Sequence, residues 1–169
     1  MSVKKILTYP HPVLRQKAES ITTFDEELQT LIQDMVETMY QAPGVGLAAN
    51  QIGIPRRLVV VDRSTGENER TYLALVNPEI IAGEGSIADE EGCLSVVECF
   101  AKVKRFRKIH VAAQDVNGNP LEFAAEDRLA RIIQHEVDHL LGTLFIDHLS
   151  SLKRALYKKK LKKILQEQQ

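Results

Sequence analysis

The chain lacks tryptophan, has two cysteines, and is only 5% aromatic. Two cysteines cannot build the disulfide framework on which small secreted domains depend. Glycine (9) and proline (6) are too sparse for a collagen-like or linker-rich chain. No apolar run approaches the roughly 20 residues that a membrane-spanning helix requires. The first ten residues, Met1 to Pro10, carry Lys4 and Lys5 but no long apolar stretch, which argues against a signal peptide. Neither a membrane nor a specific DNA partner is therefore expected.

What remains is the composition of an ordinary globular chain, 44% hydrophobic and 27% charged over 169 residues, enough for one domain with a real core. The charge is segregated. Residues 150–169 hold seven basic side chains against Glu167, a balance of +6, so residues 1–149 carry −7 of the net −1. The sequence predicts a catalytic body over 1–149 and a basic C-terminal helix over 150–169 that extends the same domain. A basic tail on an acidic body points to a polyanionic partner.

The local patterns predict an α+β fold. Thr23-Phe24-Asp25-Glu26 reads as a capping box. It opens a helix with Leu28, Leu31, Ile32, Met35 and Met39 at helical spacing, which ends near Pro43-Gly44. Leu58-Val59-Val60-Val61 and Leu73-Ala74-Leu75-Val76 read as short buried strands. Ile109, Val111 and Ala113 alternate, Asn117-Gly118 turns the chain, and Leu121-Glu122-Phe123 returns as the second strand of a hairpin. Strands and helices do not alternate regularly. Mixed or antiparallel strands around a central helix fit better than a doubly wound sheet.

That central helix carries the chemistry. His135-Glu136-Val137-Asp138-His139 reads H-E-x-x-H, in which two histidines one turn apart grip a divalent ion and the glutamate takes a proton from the water it activates. Leu129, Ile132, Ile133 and Leu140 form an apolar stripe on the same helix. A third ligand is needed. The extended motif would place a histidine where Phe145 stands, and the only later glutamate, Glu167, lies in the lysine-rich tail. Asp147 and His148 stay open as alternatives, although Gly142 should end the helix before them. Cys93, in Glu91-Gly92-Cys93-Leu94-Ser95, is the favoured ligand. With His135 and His139 it leaves a fourth position open, as a catalytic site requires.

Gly44-Val45-Gly46-Leu47-Ala48-Ala49-Asn50-Gln51, then Glu91-Gly92-Cys93-Leu94-Ser95, then Gln134-His135-Glu136-Val137-Asp138-His139-Leu140 resemble, in order and spacing, the three signature motifs of bacterial peptide deformylases. The resemblance spans nearly the whole chain, including His11-Pro12-Val13-Leu14-Arg15. It implies removal of the N-formyl group from the N-terminal methionine of newly made proteins, with release of formate. It further implies Glu136 as general base then acid, and the Gln51 side-chain amide and Leu94 backbone N–H as oxyanion donors. Gly44, Val45 and Gly46 would lie beside the bound peptide, although small residues also suit a tight turn. Ile132, and with it Ile133, would line the methionine pocket, with Arg128 at its rim. The family typically uses ferrous iron and also accepts nickel, cobalt or zinc; the ligand types alone suit zinc. The partners implied are formyl-methionyl nascent peptides and, through the basic helix, the ribosome. A thiolate ligand implies the reducing cytoplasm.

Three positions depart from the family's common pattern. Val97 stands where a proline is usual and Phe100 where some members carry arginine. Asp127-Arg128 replaces a glycine and a large apolar residue. None removes a ligand or the base. Two alternatives use the same motif differently: an H-E-x-x-H metallopeptidase, and an inactive ribosome-associated binding module.

Overall fold

The computed structural model describes residues 2–63 and 71–167. Helix α1 spans Glu26–Gln41, and its N-terminus is closed by Asp25, whose Oδ1 accepts a 3.0 Å hydrogen bond from the Leu28 N–H. The expected capping box beginning at Thr23 is thus displaced by two residues. Both side chains can cap, and the chain uses the carboxylate, whose charge also favours the helix N-terminus.

Among the described residues seven strands follow: β1 Gly46–Ala48, β2 Leu58–Asp62, β3 Tyr72–Glu84, β4 Ile87–Cys93, β5 Val96–Arg105, β6 Lys108–Gln114 and β7 Pro120–Glu126. Five form an antiparallel sheet ordered β1-β2-β3-β6-β7, and β4 and β5 form a separate antiparallel hairpin. Helices α2 (Asp127–Leu140) and α3 (Ser151–Glu167) complete the fold. The result is α+β, as the sequence predicts.

Strand β2 is apolar from Leu58 to Val61 because both faces of the sheet are covered there. Leu58 and Val60 pack with Met35 and Met39 of α1, while Val59 and Val61 pack with Ile133 and Val137 of α2. Alternate residues point to opposite faces, so one strand feeds two cores. The β6–β7 hairpin forms as expected, with a longer connection: Asp115 Oδ1 accepts from the Asn117 and Asn119 N–H groups at 2.9 Å, and Gly118 takes a left-handed φ of +86°.

A third core cluster joins the β4–β5 hairpin to the C-terminus. Val96, Cys99 and Val103 pack with Phe145, Tyr157 and Leu161. Tyr157 Oη donates to the Val97 carbonyl at 2.9 Å, and Lys160 Nζ donates to the Glu98 carbonyl at 2.7 Å. The basic helix α3 is therefore fastened to the strand that follows Cys93. Helix α2 stops at Leu140, and Gly142 at φ +77° turns the chain; a Cβ there would lie 2.5 Å from the Arg15 carbonyl oxygen.

Candidate metal centre and active site

Two elements far apart in sequence bring the three candidate ligands together. His135 and His139 lie one turn apart on α2, with ring centroids 5.1 Å apart. Cys93 ends β4, where the hairpin bends toward β5. Its Sγ is 3.4 Å from His139 Nε2. One donor atom from each of Cys93, His135 and His139 falls within 4.8 Å of the others.

The surroundings hold the rings in place. His135 Nδ1 is 3.0 Å from Glu91 Oε1, so with its proton on Nδ1 the ring keeps Nε2 for a metal. Arg105 Nε donates to Glu91 Oε2 and Arg105 Nη2 to Glu91 Oε1, both at 3.0 Å. Arg105 Nη1 donates to Asp138 Oδ2 at 2.7 Å, and His148 Nε2 lies 2.9 Å from the same oxygen. Asn50 Nδ2 donates to the His139 carbonyl at 2.9 Å. The alternatives Asp147 and His148 are thus occupied elsewhere, Asp147 by a 2.6 Å ion pair with Arg15.

The electrostatics fit a cation. Burial alone would lower the His135 pKa, but hydrogen bonds with Cys93 and Glu91 and the nearby negative charges raise it well above its ordinary value. The ionised Glu91 carboxylate against the His135 ring thus favours positive charge beside the place where the three donors meet. Burial and the His135 charge push His139 well below its ordinary value, leaving it neutral as a ligand must be. Burial raises the Glu91 carboxyl, yet the bonds from His135 and Arg105 outweigh it and leave the pKa at about 2. Among the described residues, His139 Nδ1 and Glu136 Oε1 are buried without a hydrogen-bond partner. The donor set and the charge suit a bound divalent ion, and the partnerless Glu136 oxygen suits a water beside it.

Glu136 is 5% exposed, and burial pushes its pKa up to about 7. A carboxyl poised there can both accept and return a proton near neutrality. Its carboxylate rests on Gly46, where any Cβ would clash with Oε2. Gly44 is less constrained, since a Cβ there would meet only the tip of the Leu94 side chain, at 2.8 Å from Cδ1. Internal packing therefore accounts for Gly46, whether or not a peptide lies beside it. Gln51 Oε1 accepts from the Ala48 N–H at 2.9 Å, which aims Nε2 at Ser95 Oγ (3.0 Å) and Cys93 Sγ (3.7 Å).

A cleft of about 430 Å³ opens beside these groups. Gly44, Val45, Gly46, Gln51, Cys93 and Leu94 line one side of it, and Arg128, Ile132, His135 and Glu136 line the other. His139 lies beneath, 1% exposed. Ile133 does not reach the cleft; it faces the sheet and is part of the core. Phe100 forms part of the rim and lies over Gly92.

The family model for polypeptide deformylase matches residues 3–155. The chain belongs to the polypeptide deformylase family. A peptide deformylase of Desulfotalea psychrophila is 58% identical over 164 residues, 96% of this chain and 97% of the relative. One from Syntrophobacter fumaroxidans is 49% identical over 99% of this chain and 98% of its own. The crystal structure of a peptide deformylase from Legionella pneumophila matches with a TM-score of 0.90 at 47% identity, covering 99% of this chain and 98% of that one. Peptide deformylases are metal-dependent, and the convergence of Cys93, His135 and His139 accords with that.

The motifs did not single out Glu91, Arg105 or Asn50. Glu91 carried a legible signal, since it lies two residues before Cys93 and so shares its face of β4. Arg105 and Asn50 act through contacts that form only on folding.

Proposed function

We propose that the chain hydrolyses the N-formyl group of formyl-methionyl N-termini on newly made proteins. The observation that carries this reading is the meeting of Cys93, His135 and His139 beside Glu136 and Gln51 in one cleft, in a chain of the deformylase family. The metallopeptidase and the inactive binding module are not favoured, because the deformylase match runs nearly the full length of the chain.

Cys93, His135 and His139 would hold the ion. Bound there, a divalent metal lowers the pKa of a water and polarises the formyl oxygen. Glu136 takes a proton from the attacking water and passes it to the departing nitrogen. Water adds to the formyl carbon, the C–N bond breaks, and formate and a free amine leave. The Gln51 Nε2 and Leu94 N–H groups stabilise the oxyanion as it forms. Strand β1 lies at the edge of the sheet, so an extended peptide can add to its free side beside Gly44, Val45 and Gly46; the Gly44 N–H is already held by the Met39 carbonyl and the Val45 carbonyl by the Asp62 N–H. Ile132 supplies apolar wall for the methionine side chain. Arg128, at the rim, meets the residue beyond.

Ferrous iron is the proposed ion in the cell, with zinc, nickel and cobalt as substitutes, and the cytoplasm is the proposed compartment. The ribosome is the proposed partner of α3. The test is formate release from formyl-Met-Xaa peptides with metal content measured in the same sample, for the native chain, Cys93→Ser and Arg128→Leu. The reading predicts release by the native chain, loss of metal in Cys93→Ser, and an altered Xaa profile in Arg128→Leu. A native protein loaded with metal that releases no formate would overturn it.

A further inference from the structure

Among the described residues, Phe100 and Leu152 are the most exposed of the large apolar side chains, at 70% each. Leu152 stands on α3, whereas Phe100 stands on β5 and lines the cleft. Uncovered aromatic surface is unfavourable in water, and an apolar group laid over it removes that cost. Val45, 40% exposed, lines the same cleft, and so does Leu94. The mouth of the cleft thus carries apolar surface that no part of the protein covers.

The Phe100 ring is held in place although it is exposed. It rests on Gly92, where a Cβ would lie 2.6 Å from Cε1 and 2.8 Å from Cδ1, so only a glycine leaves room for it. The backbone leading to it is fastened to α3. The Val97 carbonyl accepts from Tyr157 Oη at 2.9 Å, the Glu98 carbonyl accepts from Lys160 Nζ at 2.7 Å, and Cys99 is buried in the third core cluster. A rigidly presented aromatic group binds a partner with little further loss of freedom.

The position of the ring decides which part of a substrate meets it. Gly92, beneath the ring, directly precedes Cys93. Under the reading proposed above, the formyl group sits at Cys93 and His135, and the methionine side chain lies along Ile132. An extended peptide advances about 3.4 Å per residue. The one or two residues after methionine therefore pass the rim that Phe100 forms.

We infer that Phe100 is a specificity-determining residue, which selects formyl-methionyl peptides with a large apolar or aromatic side chain at the second or third position. The inference rests on the deformylase reading and names a substrate class for the same site. The hydrolysis itself is unchanged.

The test compares kcat/KM for formyl-Met-Ala-Ser, formyl-Met-Phe-Ser and formyl-Met-Ala-Phe on the metal-loaded full chain. In the native protein at least one phenylalanine peptide exceeds the reference by about fivefold or more. The gain lies in KM, because the contact is made equally in the ground and transition states. In Phe100→Ala the preference falls below about twofold, and Phe100→Tyr, which keeps the ring, retains it. The chain has no tryptophan, so Phe100→Trp supplies a fluorescent reporter on the rim that needs no turnover. Its emission moves to shorter wavelength when the deformylated form of the preferred peptide covers it, and moves less with Met-Ala-Ser at the same concentration. Equal hydrolysis of the three peptides by the native protein, a preference kept in Phe100→Ala, or an unmoved emission would each overturn the inference. Failure of the native protein to release formate from formyl-Met-Ala-Ser would instead strike the deformylase reading itself.

Discussion

Glu91 Oε1 stands 3.0 Å from His135 Nδ1 and also accepts from Arg105 Nη2 at 3.0 Å. One carboxylate thus orients a ligand ring and neutralises a buried guanidinium. Glu91→Gln is expected to weaken metal affinity about 10–100-fold, the usual effect of removing a ligand's supporting partner. Glu91→Ala is expected to cost about 3–5 kcal/mol as well, because it leaves the Arg105 charge buried and stripped of its main partner. Competition with a metal chelator measures the first effect, and denaturant unfolding of the metal-free protein the second. Native affinity in Glu91→Gln would show that the ring needs no such support.

Glu136 bridges no ligand pair and sits buried over Gly46. Glu136→Ala is expected to keep its metal and lose about 10²–10⁴-fold in kcat. Metal analysis and single-turnover kinetics on one preparation separate the two effects. A variant that turns over at near-native rate would remove Glu136 from the proton path.

Asp127 opens α2 with φ +53°, in the left-handed region, and among the described residues its ion pair is the exposed one with Arg107 at 3.1 Å. The exposed pair is worth little. Asp127→Gly is expected to raise stability by about 1 kcal/mol, since glycine adopts this backbone without strain. The rise should appear as a higher urea midpoint at unchanged m-value. This accounts physically for the glycine common at this position in the family.

Asp147 is held below the ordinary carboxylate range. Burial raises its pKa, but the hydrogen bond from Arg15 and that from the Leu144 N–H outweigh it. A carboxyl depressed on folding stabilises the protein above its unfolded pKa, and that stability fades as pH falls through the folded value. Native protein is therefore expected to exceed Asp147→Asn in urea midpoint at pH 7. The gap should close as the pH drops below about 4, where the unfolded carboxyl is protonated. Because the pair is half-exposed, the gap at pH 7 is expected to be about 1 kcal/mol or less.

The proposed ribosome contact is best tested by charge. Removing α3 would uncover Val96, Cys99 and Phe145 and release the Val97 and Glu98 carbonyls beside Cys93. Lys158, Lys159 and Lys162 are exposed, so reversing them to glutamate leaves that packing intact. The triple variant is expected to lose co-sedimentation with ribosomes while its activity on short formyl peptides stays near native. Binding of the native chain should weaken as salt rises. Equal binding by the triple variant would eliminate this surface.

Much of this was legible before folding. The H-E-x-x-H spacing depends only on helix geometry, and the apolar run of β2 and the β6–β7 alternation depend only on side-chain direction. The β4–β5 hairpin was not legible. Asp89, Glu90, Lys102 and Lys104 leave it mostly exposed, without the apolar alternation that marks a half-buried strand. Nor was the docking of α3, in which only Tyr157 and Leu161 are buried among lysines. Ile133 lies next to Ile132 and differs only in facing the sheet, a rotation that composition cannot express.

Strand β1 is three residues long, yet it sets the positions of two reactive groups. Gly46 at one end is the seat of the Glu136 carboxylate, and the Ala48 N–H at the other anchors the Gln51 amide. The proposed proton carrier and the proposed oxyanion donor are thus referenced to one short ruler. A peptide added to the strand's free edge would be gauged against the same ruler.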